Sequence, residues 1–196
     1  MVVVACNSAA TVIQNSIGLA YNSSEIVEVI SPIVDLIATQ SKYTNIGIIG
    51  TRKTIGSGMF NKELASRNKL LDITARATPV LVPMIEEGFL DNDILFPVFD
   101  RYFEGFENCE LIIPACTHYP IIYEQIESYF NYKLKVLHTP KIIAEEVEKR
   151  LLQSELLNDT SKGEDTYHLS DVTDRFIAEA ELFLGKKVVF QKILLD

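Results

Sequence analysis

The sequence predicts an α/β protein with mostly parallel sheet, and two observations carry that expectation. Short apolar runs alternate with longer segments of helical period along the 196 residues, the order that successive β-α-β units produce. Two of those runs, in "MVVVACNSAA" at the start and "LIIPACTHYP" at Leu111–Pro120, end in the same phrase, Ala-Cys followed at once by hydrogen-bonding side chains. Ligands of parallel α/β sheets sit beyond the carboxyl ends of the strands, where helices begin. Cys6 and Cys116 are both expected there.

Each element has a local signal. Val2 to Ala5 is a β-branched apolar run and reads as a strand; Ala9 to Ala20 has helical spacing. Glu28 to Ile30 reads as a second strand, and Pro32 opens a helix through Gln40, because a proline in the first turn lacks only an N–H that the helix leaves unused. "NIGIIG" is a third strand, and "TIGSGMFNKELASR" leads into a helix. "DITARATPVLVP" reads as a strand ending at its prolines, and "MIEEGFLDNDILFPVFDRYFEGF" as helix broken near Pro97, since an interior proline removes a hydrogen bond. "CELIIPA" and "IIYEQIESYF", then "KLKVLH" and "KIIAEEVEKRLLQ", repeat the strand-helix pair. After a polar stretch around "NDTSKGED", the chain closes with the strand "TYHLS", the helix "DVTDRFIAEAELFLG" and the strand "KKVVFQKIL".

Composition narrows the class of function. With 18 Lys and Arg against 27 Asp and Glu, the formal charge is −9, so no diffuse basic surface exists to neutralise a phosphate backbone. Nucleic acid is not an expected partner. No apolar run reaches the roughly 18 residues of a transmembrane helix, and no positive n-region precedes the first apolar run. Neither membrane nor secretion is indicated. Three cysteines with no C-x-x-C spacing point to free thiols in a reducing compartment, and thus to a cytoplasmic protein.

Most free cysteines are inert packing, and Cys109 is assigned to that class. Cys6 and Cys116 differ because Asn7 and Ser8 follow the first, and Thr117 and His118 follow the second. A thiol at a helix N-terminus is drawn toward its anion by the dipole and free N–H groups. No Cys/His cluster has the spacing of a structural metal site, and no metal is expected. In "GTRKTIGSG" the spacing between Gly50 and Gly56 does not match a P-loop, and G-x-G-x-x-G fails at Gly58. A nucleotide cofactor therefore has no footprint. "GTRKT" still offers hydroxyls and N–H groups to an anion, a role balanced against an ordinary strand-to-helix turn. Two thiols on similar units suit a reaction needing one basic and one acidic group that exchange roles on reversal: proton removal from one face of a tetrahedral carbon and return to the other.

At "VVVACNSA" and "PACTHYP" the sequence closely resembles the glutamate racemases of the cofactor-independent aspartate/glutamate racemase family, whose signatures are A-C-N-[ST]-A and [GA]-C-T-H-[YF]-P. "GTRKTIGSGMF", "PVLVPMIEEG" and "YHLSDVTDRFIAEAELFLG" are similar to further family segments, so the likeness runs along the whole chain. The resemblance implies two pseudosymmetric domains, residues 1–33 with 140–196 and residues 34–139, with mostly parallel sheets flanked by helices and the active site in an interdomain cleft. It implies interconversion of L- and D-glutamate for peptidoglycan without a cofactor, and association as a homodimer. Cys6 and Cys116 would serve opposite faces of the substrate. Asn7, Ser8, Thr117 and His118 would hold the amino acid, with Thr51 and Thr54 in support, and Glu86 would sit near His118 on the Cys116 side. From the residues alone, "EE" at Glu86 reads equally as dipole matching at the opening of a helix.

The family's D-S-G turn and P-Y-G segment precede its first cysteine motif, whereas these residues start almost at Cys6. The expectation is a chain lacking that N-terminal segment, including the acidic partner of Cys6. Pro114-Ala115 and His138-Thr139-Pro140 also depart from the common family pattern. Two alternatives stay open: a binding or regulatory protein on the racemase scaffold with impaired catalysis, and a racemase of a related acid such as aspartate.

Overall fold

The computed structural model describes residues 1–16, 26–40, 42–158 and 163–194. They form two compact units, Met1–Leu156 and Leu157–Asp196. In the first, the order is β1 (Val2–Val4), α1 (Asn7–Ser16), β2 (Ile26–Glu28), α2 (Ser31–Gln40), β3 (Asn45–Gly50), α3 (Arg52–Gly56), α4 (Met59–Arg67), β4 (Asp72–Ala77), α5 (Leu81–Glu86), α6 (Asn92–Tyr102) and β5 (Leu111–Ala115). A 3-10 turn (Tyr119–Ile122), α7 (Tyr123–Tyr129), β6 (Lys135–Val136) and α8 (Thr139–Gln153) complete it. The last part of the expected first helix, residues 17–20, and residues 159–162 of the polar stretch lie outside the described residues.

Every described strand pair is parallel. β1 pairs with β2, and a four-stranded sheet runs in the order β4-β3-β5-β6. This is the α/β class that the alternation of apolar runs predicts. The central strands β3 and β5 are buried on both faces, which is why they read as unbroken apolar runs. Side chains of a strand alternate, so Ile46, Ile48, Leu111, Ile113 and Ala115 join a core with α2 and α4, whereas Ile49 and Ile112 join one with α5, α6 and α7. The second core contains Phe99, Phe103, Phe106, Tyr119 and Ile126.

Gly47 lies where the Phe106 ring crosses β3: a Cβ there would stand 2.6 Å from two ring carbons. Phe106 is itself fully buried and has nowhere to withdraw. Gly47→Ala is therefore expected to cost about 1–3 kcal/mol by overpacking, read as a lower urea midpoint at unchanged slope. An unchanged midpoint would show that the ring moves freely.

Four boundaries differ from the sequence expectation, each for a physical reason. The second strand ends at Glu28 instead of beginning there, because the Glu28 carboxylate accepts the N–H groups of Ile30 (2.6 Å) and Ser31 (2.8 Å) at the entry to α2. Pro83 lies inside the first turn of α5, where its missing N–H is tolerated. The long segment after it breaks at Gly88 and not at Pro97: Gly88 has φ 71°, its N–H reaches Ile85 C=O, and that of Phe89 reaches Met84 C=O, a left-handed helix stop. Pro97 sits within α6, held by the burial of Leu95 and Phe99 on the same helix. "KLKVLH" pairs over only two residues, since Thr139 N–H turns back to Leu137 C=O and Pro140 opens α8.

The second unit holds β7 (Tyr167–Leu169), α9 (Asp174–Leu184) and β8 (Phe190–Lys192). β7 and β8 are parallel, and α9 begins at Thr173, whose hydroxyl accepts the Phe176 N–H, and ends at Gly185 with φ 64°. Phe190 packs edge-on against Tyr167 and Phe176.

Candidate active site

The carboxyl ends of β1, β3 and β5 open into one small recess. Its volume is ≈ 120 Å³, and Cys6, Asn7, Ser8, Thr51, Val82, Ala115, Cys116, Thr117 and His118 line it. Seven of the nine residues singled out in the sequence are in that lining. The other two, Thr54 and Glu86, touch it through hydrogen bonds.

On the first wall, Cys6 follows β1 and its carbonyl accepts the Ala10 N–H (2.8 Å), so the thiol stands at the entry to α1 as expected. Its side chain is exposed. Asn7 is 6% exposed, and its Oδ1 is buried with no hydrogen-bond partner among the described residues. A buried orphan acceptor costs free energy. Ser8 Oγ lies 2.7 Å from Thr51 Oγ1 and 3.1 Å from Thr54 Oγ1, and the two threonine hydroxyls are 3.1 Å apart. Thr51 also caps α3 by accepting the Thr54 N–H. "GTRKT" is thus both a helix cap and part of the recess.

On the second wall, Cys116 follows β5 and is 7% exposed. Its carbonyl accepts the Tyr119 N–H at 3.2 Å, so a 3-10 turn follows it in place of a full helix. Burial pushes the Cys116 thiol above its ordinary value, and the nearness of Cys6 and Glu86 pushes the same way. Backbone N–H groups of His118 and Thr117 directed at the sulfur oppose that rise. These are the two levers that tune a thiol between acid and base. His118 Nδ1 stands 3.9 Å from the Cys116 sulfur, and His118 Nε2 lies 3.0 Å from Glu86 Oε1.

Glu86 is the last residue of α5, which corrects the expectation of a helix opening. A carboxylate there faces the negative end of the helix dipole. Dipole matching therefore does not explain it, and the His118 contact does. Cys109 is half-buried away from the recess lining, and burial, with its Thr74 contact opposing, raises its thiol to about 11. That agrees with inert packing. Among the described residues, no group of three or more His, Cys, Asp or Glu side chains converges as metal ligands do.

The sequence reading missed Val82 and Ala115 in the lining. It also missed Thr78 and Tyr119, whose hydroxyl oxygens lie 2.5 Å apart in full burial. Apolar residues in "PVLVP" and "LIIPA" carry no signal separating a recess wall from core. The Tyr of "CTHYP" sits inside the quoted motif, but its threonine partner is far off in sequence.

No family model matches the chain. A protein from Geobacter metallireducens described as glutamate racemase is 31% identical over 191 residues, covering 96% of this chain and 70% of that protein. The chain belongs to the glutamate racemase family. Among solved structures, glutamate racemase isoform RacE1 from Bacillus anthracis superposes with a TM-score of 0.89 at 25% identity, over 98% of this chain and 73% of that one. Glutamate racemase from Francisella tularensis, solved with D-glutamate, superposes with a TM-score of 0.88 at 24% identity, over 99% of this chain and 72% of that one, and shows the shared fold. Family members so matched are longer than this chain. No described helix is long and apolar enough to cross a membrane.

Proposed function

We propose that this chain interconverts L- and D-glutamate without a cofactor, with Cys6 and Cys116 serving opposite faces of the substrate Cα. The observation that carries the reading is the presence of both thiols, distant in sequence, in the lining of one recess. One thiolate takes the Cα proton, the resulting carbanion is planar, and the opposing thiol returns its own proton to the other face. The reverse reaction exchanges the roles. Net charge and atoms balance, and each turnover leaves the thiol and thiolate interchanged.

The remaining side chains suit an amino-acid dicarboxylate. Asn7, in the recess lining, carries an amide that can hydrogen-bond the substrate. The hydroxyls of Ser8, Thr51 and Thr54, already clustered, and that of Thr117 can donate to carboxylate oxygens. His118, held by Glu86, assists proton movement at Cys116. The Geobacter metallireducens and Bacillus anthracis relatives, both described as glutamate racemases, and the D-glutamate bound to the Francisella tularensis protein support glutamate as the substrate. Supply of D-glutamate for peptidoglycan in the cytoplasm belongs to the same reading. So do a division into residues 1–33 with 140–196 and residues 34–139, and a homodimer, which sedimentation tests.

The deciding measurement is proton NMR of L- and D-glutamate in D₂O with the purified chain. Loss of the Cα proton signal from both enantiomers, with optical activity decaying to zero, is the expected result. Binding without exchange favours a regulatory protein, and exchange confined to aspartate favours the related acid.

Glu86→Gln is expected to lower kcat about 10²-fold with a smaller change in KM, because a neutral amide holds the His118 ring less firmly than the carboxylate does. Steady-state racemisation assays read this directly. A kcat equal to that of the parent chain would confine Glu86 to packing.

A further inference from the structure

We propose that Tyr119 and Thr78 form a buried clamp that holds the Cys116 turn in register with the Thr51 wall, making them positioning residues for proton transfer at Cys116. The proposal rests on the racemase reading above. Both residues are fully buried, and neither lines the recess. Thr78 N–H and Thr78 Oγ1–H both donate to the Gly50 carbonyl, at 2.8 and 3.2 Å. Thr78 Oγ1 and the Tyr119 phenol oxygen share a hydrogen bond at 2.5 Å, and the phenol also donates to the Thr78 carbonyl at 3.3 Å. Tyr119 N–H in turn donates to the Cys116 carbonyl.

These bonds join the exits of three strands. Gly50 ends β3 and precedes Thr51; Thr78 follows β4; Cys116 and Tyr119 follow β5. From Thr51 the contacts continue to Ser8, two residues from Cys6. The two walls that carry the thiols are thereby tied through one phenol and one threonine. The Tyr119 ring packs in the aromatic core with Leu81, Ile122 and Ile49, where a hydrogen bond is strong and its loss leaves a buried group unsatisfied. Burial also holds the Tyr119 phenol far above its ordinary value, so it stays a donor and takes no part as a base.

The test uses the full chain with Tyr119→Phe, Thr78→Val and Thr78→Ser. Each enantiomer of a glutamate analogue bearing chloride on Cβ needs only one base: it loses the Cα proton and chloride, and the resulting enamine hydrolyses to the 2-oxo acid and ammonia. Cys6→Ser and Cys116→Ser assign which enantiomer each thiol serves. Tyr119→Phe and Thr78→Val are expected to slow elimination on the Cys116 face about ten-fold more than on the Cys6 face, as misplacement of a reacting group does, with kcat falling more than KM rises. Thr78→Ser, which keeps the hydroxyl, restores the parent ratio. A second readout is alkylation by iodoacetamide followed by peptide mass spectrometry, in which both hydroxyl-deleting variants raise the rate at Cys116 relative to Cys6. Equal losses on both faces, or no loss, overturn the clamp. A parent chain that neither racemises nor eliminates overturns the racemase reading instead, and the alkylation ratio alone then decides the clamp: an unchanged ratio ends it.

Discussion

Replacing either Cys6 or Cys116 by serine is expected to lower racemisation about 10³-fold in both directions, the scale on which a positioned proton-transfer group acts. Each thiol is the base in one direction and the acid in the other, so no direction escapes. Serine keeps the size and the hydrogen bonding but holds its proton far more tightly, which isolates acidity as the cause. One-sided chemistry should survive: each variant still eliminates chloride from the enantiomer whose proton faces its intact cysteine. The raised Cys116 thiol also sets a pH signature. In the irreversible elimination on the Cys116 face, where Cys116 acts only as the base, the rate climbs as pH rises above neutral toward the elevated value. A Cys116-face elimination rate that fails to rise above neutral pH, or racemisation retained by either serine variant, would sink the two-thiol mechanism.

Phe99→Ala is expected to cost about 3–5 kcal/mol, the range for truncating a fully buried aromatic side chain. Phe99 is 0% exposed, and its ring centre lies 5.0 Å from that of Phe103, 5.5 Å from that of Tyr129 and 6.2 Å from that of Phe96. The cluster joins α6 to α7. Its weight is larger than a single side chain suggests, because Pro97 denies α6 one of its backbone hydrogen bonds and packing must hold the helix. Against a total stability of about 5–15 kcal/mol for a typical domain, such a loss is severe. Calorimetry should show a melting temperature lower by roughly 6–20 °C. A loss below about 1 kcal/mol would mean that the site collapses around the missing ring with little residual cavity.

The two halves of this protein's logic were legible to different degrees. β3 and β5 stand out as apolar runs because burial on both faces leaves no room for alternation. The chemistry-bearing side chains were legible because they follow β1, β3 and β5 at once, where the parallel topology exposes them: Asn7 and Ser8 after Cys6, Thr51 after Gly50, Thr117 and His118 after Cys116. Helix breaks were less legible. Pro97 is a strong local signal overruled by aromatic packing, and the break falls at Gly88, whose positive φ closes α5.

The sequence by itself determined the parallel α/β class, the two cysteine phrases and the set of polar side chains beside them, because strand burial and strand-to-helix turns leave local patterns. Only the tertiary structure decided that both thiols line a single recess, that Glu86 ends its helix against His118, and that Tyr119 reaches Thr78. Contacts of that kind join residues on different elements, and their existence depends on strand order and on which face each strand presents, quantities that no local spacing encodes.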